Sequence, residues 1–251
     1  MAKPISLLII AAVVLGGASP PSSSKRGAEL RPMPAELETR FALSALPAPL
    51  RGTASVYLLN PKTGYRRFRS GTSGVTCIVQ RTAWELADQR DDIYIPLCYD
   101  AAGTKSYLKV IMDAARMRAQ GVEPAALKAK IESLYADKTY GVPAKAGVSY
   151  MVAPVMRTIG PPDLKVHTMA MPHLMFYAPG LSNADIGAVP SLTDYASLMN
   201  PFIDRQGNAE QSYMIQMLGA AEKAQTLARE KRLIADLCAY RQILCLGQSG
   251  H

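Results

Sequence analysis

Three short extended segments, separated by two tight turns, restrict the folds open to this 251-residue sequence. The first turn, Asn60-Pro-Lys-Thr-Gly64, has the residues typical of a β-hairpin loop. The second, Gly71-Thr-Ser-Gly74, leads into a run in which Val75, Cys77 and Val79 alternate with Thr, Ile and Gln. Such alternation is typical of a strand with one deeply buried face. The pattern predicts an antiparallel meander with strands at residues 53–59, 65–69 and 75–80.

Helical and strand-like patterns follow this meander in mixed order. Apolar residues at helical spacing predict helices at residues 35–46 and 101–120, another starting at Pro124, and a long one at 220–244. Further strands are predicted at residues 93–98, 148–156, 173–177 and 212–217. Because the order lacks a regular β-α-β rhythm, the sequence predicts an α+β fold. We expect one domain over residues 31–251, with the meander sheet packed against several helices.

The first residues have the pattern of a secretory signal. Met1-Ala2-Lys3 provides a cationic start, an apolar run covers residues 5–15, and Gly16 and Ala18 are the small residues of a cleavage site. The run is shorter than the roughly 20 apolar residues that span a bilayer. We predict a signal peptide at residues 1–18, a flexible leader at 19–30, and a periplasmic or secreted protein. No stable membrane insertion is expected after cleavage.

Four cysteines lie at positions 77, 98, 238 and 245. In an oxidising compartment such residues pair, and their spacing fits no zinc site. Cys77 and Cys98 are the predicted disulfide, because both fall in strand-like segments of one local unit. Cys238 and Cys245 would lie about 10 Å apart on an unbroken helix, beyond the reach of a disulfide. They pair only if the helix ends between them; otherwise they are buried thiols.

The net charge of +8 is unevenly distributed. Residues 51–81 contain six basic and no acidic side chains, whereas residues 85–100 contain five acidic side chains and one arginine. The basic segment is either a surface for anionic partners or is neutralised by the acidic segment that follows it. We favour neutralisation, because the two segments are adjacent. Export also argues against a nucleic-acid partner.

Short catalytic motifs in the sequence do not form a complete set. Gly71-Thr-Ser-Gly74 resembles the loop of a serine-protease nucleophile, but all three histidines follow it, whereas the chymotrypsin-like order requires the histidine first. Ser106-Tyr-Leu-Lys109 matches S-x-x-K, yet Lys62-Thr-Gly64 precedes it, in the reverse of the order in penicillin-recognising enzymes. No Walker A, G-x-G-x-x-G or H-E-x-x-H motif occurs. We therefore expect a binding protein rather than an enzyme.

One cluster has the residue types of a soft metal site. Imidazole and thioether side chains occupy every second position of a nine-residue stretch, and in an extended chain alternate side chains point the same way. These ligand types favour copper. The five candidates are His167, Met169, Met171, His173 and Met175.

Methionine is also an ordinary core residue, and Pro172 interrupts the stretch. We therefore favour burial in the core over copper binding for these methionines. His173 is the exception, because it is expected to lie at a strand end near other polar residues. Together with Tyr177, Asn183 and Asp185 it forms the predicted ligand-binding group.

Several segments together resemble a family of exported bacterial proteins of unknown function. They are Gly71-Thr-Ser-Gly-Val-Thr-Cys-Ile-Val-Gln-Arg81, Pro96-Leu-Cys-Tyr-Asp100, Pro172-His-Leu-Met-Phe-Tyr-Ala-Pro179 and Asn183-Ala-Asp-Ile-Gly187. The resemblance extends over most of the chain after the signal. It implies export and a single domain, and it implies no activity.

The sequence thus predicts an exported protein that binds a small molecule or a metal ion. One alternative is a hydrolase of an envelope or extracellular substrate, in which His173 works with Asp185 or Asp194 as an acid/base pair. The other is an envelope interaction module, in which the hairpin residues Arg66, Arg67 and Arg69 bind an anionic surface in a salt-sensitive manner.

Overall fold

Eight strands form one sheet, and two further strands form a separate hairpin beside it. A computed structural model describes residues 28–247. The sheet contains β1 (Ser55–Asn60), β2 (Gly64–Arg69), β3 (Thr76–Gln80), β4 (Ile95–Tyr99), β5 (Val148–Met151), β8 (His173–Tyr177), β9 (Phe202–Arg205) and β10 (Ser212–Met217). The separate hairpin contains β6 (Met156–Gly160) and β7 (Lys165–Met169). The helices are α1 (Ala35–Ser44), α2 (Ala101–Lys105), α3 (Tyr107–Ala119), α4 (Pro124–Ala136), α5 (Ala220–Arg229) and α6 (Lys231–Tyr240).

The strand order is β2-β1-β3-β4-β5-β8-β10-β9, and every neighbouring pair is antiparallel except β1 and β3. The predicted α+β class and single domain are thus confirmed. The start of the sheet differs from a simple meander, because β3 pairs with β1 instead of β2. The segment after β2 runs back beside the start of β1, where the amides of Thr72 and Ser73 donate to the carbonyl of Thr53.

Helices cover the two faces of the sheet in different ways. On one face, α1 and α6 pack against the sheet through apolar side chains, and we call this the closed face. Its buried residues include Leu37, Phe41, Val56, Cys77, Cys98, Leu233 and Leu237. On the other face, α3 packs against a second apolar cluster that includes Ile78, Leu97, Tyr99, Tyr107, Met175 and Tyr213. We call this second side the cavity face.

Two disulfides are present. Cys77 and Cys98 are directly opposite each other on β3 and β4, with Cα atoms 4.1 Å apart, so the predicted bridge is confirmed. Cys238 and Cys245 are also bridged, with Cα atoms 4.4 Å apart. This pairing is possible because α6 ends at Tyr240 and the chain then turns back through a short 3₁₀ helix, Gln242–Leu244. The helix therefore ends between the two cysteines, which is the condition under which the sequence allowed them to pair.

Several predicted elements are divided where the chain changes direction. The predicted strand at 148–156 ends at Met151, shortly before Pro154, which lacks the amide that a central strand needs. The predicted helix at 101–120 is split at Ser106, and the one at 220–244 is split at Glu230. Strands β6, β7 and β9 were not predicted.

The N-terminal boundary also differs from the prediction. Leu30, within the predicted flexible leader, is buried in a small cluster with Leu59 and Ala115. Ordered packing therefore begins before residue 31. The predicted signal peptide at residues 1–18 lies outside the described residues. Between residues 28 and 247, no helix has both the length and the apolar character needed to cross a membrane.

Candidate functional site

The cavity face encloses a space of about 390 Å³. Its floor is the sheet, where Leu97, Met175 and Ile215 come from three different strands. Tyr107 and Ile111 of α3 form one wall, and the β6–β7 hairpin contributes another. A volume of this size lies in the range of small-molecule sites.

Aromatic rings form much of the cavity wall. Tyr107 stacks on Tyr213 with ring centroids 4.3 Å apart, and its ring is nearly parallel to that of Tyr99 at 6.4 Å. Trp84 and Tyr135 form a second pair, 5.9 Å apart. Burial raises the pKa of the Tyr99, Tyr107 and Tyr213 hydroxyls, so these groups stay neutral. The wall therefore offers flat, polarisable surfaces without charge.

His173 brings a buried imidazole to this cavity. Only 6% of the residue is exposed, and its Nδ1 lies 2.7 Å from the carbonyl oxygen of Met171. A carbonyl only accepts, so Nδ1 carries the proton and Nε2 keeps its lone pair. Burial lowers the pKa of His173, because the charged form loses its hydration. His173 is thus a neutral imidazole at neutral pH.

Two carboxylates line the same cavity. Asp204 reaches it from β9, where it is paired with Tyr213 of β10, so the two side chains share a face of the sheet. Glu85 reaches it from a 3₁₀ turn, Trp84–Leu86. Burial and the nearby Asp204 charge raise the pKa of Glu85, whereas a backbone hydrogen bond and the charge of Lys128 lower it. Burial likewise raises the pKa of Asp204, whose carboxylate accepts a hydrogen bond from Gln206.

Glu85 is an exposed residue, although it also lines the cavity. Both statements hold for a group that faces an open cavity rather than a sealed core. Solvent contact weakens the electrostatic effects at this carboxylate.

The predicted ligand-binding group is only partly brought together. His173 lines the cavity, but the Tyr177 hydroxyl donates to Asp100 at 2.8 Å. Asn183 is paired with the backbone of Ile203, donating to its carbonyl at 3.1 Å and accepting from its amide at 2.7 Å. Asp185 accepts from the amide and hydroxyl of Ser182, which lowers the pKa of its carboxyl. Tyr177, Asn183 and Asp185 thus make bonds that stabilise local structure.

The predicted copper ligands are divided between two cavities. His173 and Met175 line the cavity described above, whereas His167, Met169 and Met171 line a neighbouring one of about 700 Å³. The division follows from Pro172, after which the chain passes from the separate hairpin into the main sheet. His167 instead bonds to Asp163, with Nε2 and Oδ1 2.6 Å apart. Within residues 28–247, no three His, Cys, Asp or Glu side chains are grouped to hold a metal ion.

The predicted acid/base pairs are not formed as hydrogen bonds in the part of the chain that the structure describes. Asp185 is held by Ser182, and the Asp194 carboxylate accepts from the amide of Ala196 at the start of a short 3₁₀ helix, Tyr195–Met199. The hydrogen bond of His173 goes to a backbone carbonyl. The carboxylates that share a cavity with His173 are Glu85 and Asp204.

We expected the acidic segment to neutralise the basic segment, but it does so only in part. Asp91 pairs with Arg81 and with Arg241, each at 2.9 Å, and Asp92 pairs with Arg157 at 2.7 Å. Of the six basic residues at 51–81, the acidic segment therefore neutralises Arg81. The reason is the strand order, which places β2 at the sheet edge, with two strands between it and β4.

Arg66 and Arg67 stay exposed on β2, beside Phe68, which is 55% exposed. No acidic side chain in residues 28–247 forms an ion pair with either arginine. Arg69 has a structural role, because it donates to the carbonyl oxygens of Ala54 and Arg51. Two of the three predicted hairpin residues are thus available at the surface.

Comparison with protein-family models, curated proteins and solved structures gives no match to this chain. The resemblance to exported bacterial proteins of unknown function therefore stays a prediction.

Proposed function

We propose that this protein is exported and binds a small organic molecule in the cavity beneath α3, without covalent chemistry of its own. The observation that carries this proposal is the composition of the cavity. Aromatic and aliphatic side chains dominate it, and a few polar groups converge on it, namely His173, Glu85 and Asp204. Small-molecule sites in proteins have this composition, in which apolar surface provides affinity and polar groups fix orientation.

A matched pair of substitutions on β8 tests the location of binding. Met175 lines the cavity, and its neighbour Phe176 lies on the opposite side of the strand, partly exposed. We expect Met175→Trp to fill the cavity and abolish binding, whereas Phe176→Trp adds the same indole outside it. Ligand-observed NMR with a panel of neutral, cationic and anionic compounds would measure binding.

Thr158→Trp is the second blocking variant, because Thr158 lines the cavity from β6 and is only half-buried. Circular dichroism checks that each variant folds. The proposal predicts compounds that bind the wild type and Phe176→Trp but neither blocked variant. It is contradicted if no compound binds, or if binding persists when the cavity is filled.

Export is supported by the N-terminal signal pattern and by the two disulfides, which persist in oxidising compartments. Mass spectrometry of the protein from a fractionated bacterial host would test it. We expect a chain that begins near Ser19 in the periplasmic or secreted fraction. A cytosolic chain that retains the first 18 residues would contradict export.

The exposed pair Arg66 and Arg67 favours a second candidate function, the binding of an anionic envelope surface by strand β2. This function predicts sedimentation with vesicles that contain anionic lipid, weakened by added salt. Arg66→Gln with Arg67→Gln should abolish it. Equal sedimentation of the double variant, or of the wild type with neutral vesicles, would exclude this candidate.

A further inference from the structure

We propose that the ligand of this cavity is an organic cation, an amine or quaternary ammonium group attached to an apolar body. This inference rests on the proposed function and specifies its ligand class. It starts from a contrast between the cavity and the rest of the protein. The chain carries a net charge of +8. In contrast, the two lining residues of a type that is ordinarily charged at pH 8, Glu85 and Asp204, are both acidic. No lysine or arginine of the described residues is among the lining side chains.

The aromatic wall points to the same ligand class. The faces of tyrosine and tryptophan rings carry negative electrostatic potential and attract cations within about 6 Å of the ring centre. Trp84, Tyr99, Tyr107, Tyr135 and Tyr213 all contribute to this wall. A cationic ligand would gain from the rings and from the carboxylates at once, whereas an anionic ligand would be repelled by both.

His173 supplies an independent indication that the cavity is built for a ligand. Only 6% of the residue is exposed. Within residues 28–247, its side chain forms a hydrogen bond through Nδ1 and none through Nε2. The Nε2 lone pair therefore keeps an acceptor site for a ligand N–H or O–H group. Because burial keeps the imidazole neutral, it does not oppose a positive ligand charge.

The charge on Glu85 makes the affinity dependent on pH. Burial raises the pKa of its carboxyl above the ordinary value of 4.5, so the group loses its charge at a higher pH than a free glutamate does. The groups that act on it are Asp204, which raises its pKa, and Lys128 of α4, which lowers it. The nearby tyrosines stay neutral, and burial lowers the pKa of His173 below its ordinary value. Cation binding should therefore weaken as the pH falls from 8 toward the raised pKa of this carboxyl.

Calorimetric titration with two probes of equal shape tests the charge requirement. Choline carries a trimethylammonium group, and 3,3-dimethylbutan-1-ol has the same shape without the charge. We expect choline to bind at least about tenfold more tightly at pH 8, which is about 1.4 kcal/mol. Equal affinities, or tighter binding of the alcohol, would overturn the cation inference and leave the proposed function intact. If neither probe binds, the inference also fails, and the compound panel decides the proposed function separately.

Two isosteric variants localise the effect to the cavity. We expect Glu85→Gln to weaken choline binding about tenfold at pH 8 and to remove most of its pH dependence. Asp204→Asn should also weaken choline, and neither change should alter binding of the neutral alcohol. Glu222→Gln, an exposed acidic residue on α5, is the control. Weakening by Glu222→Gln equal to that by Glu85→Gln would indicate binding outside the cavity and overturn the inference.

Discussion

The two faces of the eight-stranded sheet differ in how their buried side chains are used. On the closed face, α1 and α6 pack on aliphatic and aromatic side chains, and the Cys77–Cys98 bridge lies within the same cluster. On the cavity face, α3 leaves a space lined by tyrosines, two carboxylates and a neutral imidazole. Alternate residues of a strand point to opposite faces, so neighbouring residues serve both sides. The contrast indicates that one face provides stability and that the other retains polar groups for a ligand.

The largest expected effect on stability comes from a substitution in the core of the closed face. Phe41 of α1 is fully buried there, so Phe41→Ala should lower the free energy of unfolding by about 4 kcal/mol through lost burial and a new void. Binding in the cavity should stay within about twofold under conditions where the variant is folded. Urea denaturation and calorimetry would measure the two quantities.

Phe68→Ala is the matched control, because this phenylalanine is largely exposed on β2. It should change stability by less than about 0.5 kcal/mol. If Phe41→Ala abolishes binding while the protein remains folded, the two faces are not independent.

Removal of the Cys77–Cys98 bridge should have the next largest effect. Replacing both cysteines with alanine frees a loop with a sequence separation of 21, which should lower stability by about 3 kcal/mol. The corresponding change at Cys238 and Cys245, with a separation of 7, should cost less. Thermal unfolding with and without reductant would give both values. A larger loss from the shorter loop would show that α6 depends on its bridge more than the sheet does.

A comparison of two glutamates should give the smallest effects and sharpen the contrast. Glu38 of α1 is 3% exposed and accepts from the amide of Leu59, and burial raises the pKa of its carboxyl to about 7. The pKa in the folded protein exceeds the ordinary value of 4.5, so its stabilising contribution is present below pH 4.5 and is lost as the pH rises to 7. Glu38→Gln should therefore stabilise the protein at pH 8, on the order of 2–3 kcal/mol, and change little at pH 4.5.

Glu85→Gln should also stabilise the protein at pH 8, but by less than about 1 kcal/mol, because solvent reaches Glu85. Denaturation of both variants across this pH range would test the difference. An equal or larger gain from Glu85→Gln would mean that the cavity is sealed and would argue against an accessible site.

The sequence predicts the strands of the sheet more successfully than the site. Strands 173–177 and 212–217 are confirmed at both ends, because alternating apolar residues and flanking turns are local signals. The same alternation places His173 and Met175 on one face, as expected. The hydroxyl of Tyr177 donates a hydrogen bond to Asp100, a residue distant in the sequence, and this contact had no local signal.

The two acidic residues of the cavity had no comparable signal. Glu85 lies in a short turn, and Asp204 lies in a four-residue strand between two loops, so neither has a periodic pattern around it. Asp204 reaches the cavity because β9 pairs with β10, a contact between segments that the sequence alone does not align. The one usable signal was tyrosine in or directly after a predicted strand, at positions 99 and 213.

Methionine methyl NMR during a choline titration tests most directly whether the cavity face is the binding face. Met151, Met156 and Met175 line the cavity, Met33 lies in the core of the closed face, and Met169 lines the neighbouring cavity. We predict that choline shifts the methyl resonances of Met151, Met156 and Met175 and leaves those of Met33 and Met169 in place. Shifts at Met33 or Met169, with the other three unchanged, would contradict the assignment of ligand binding to this face.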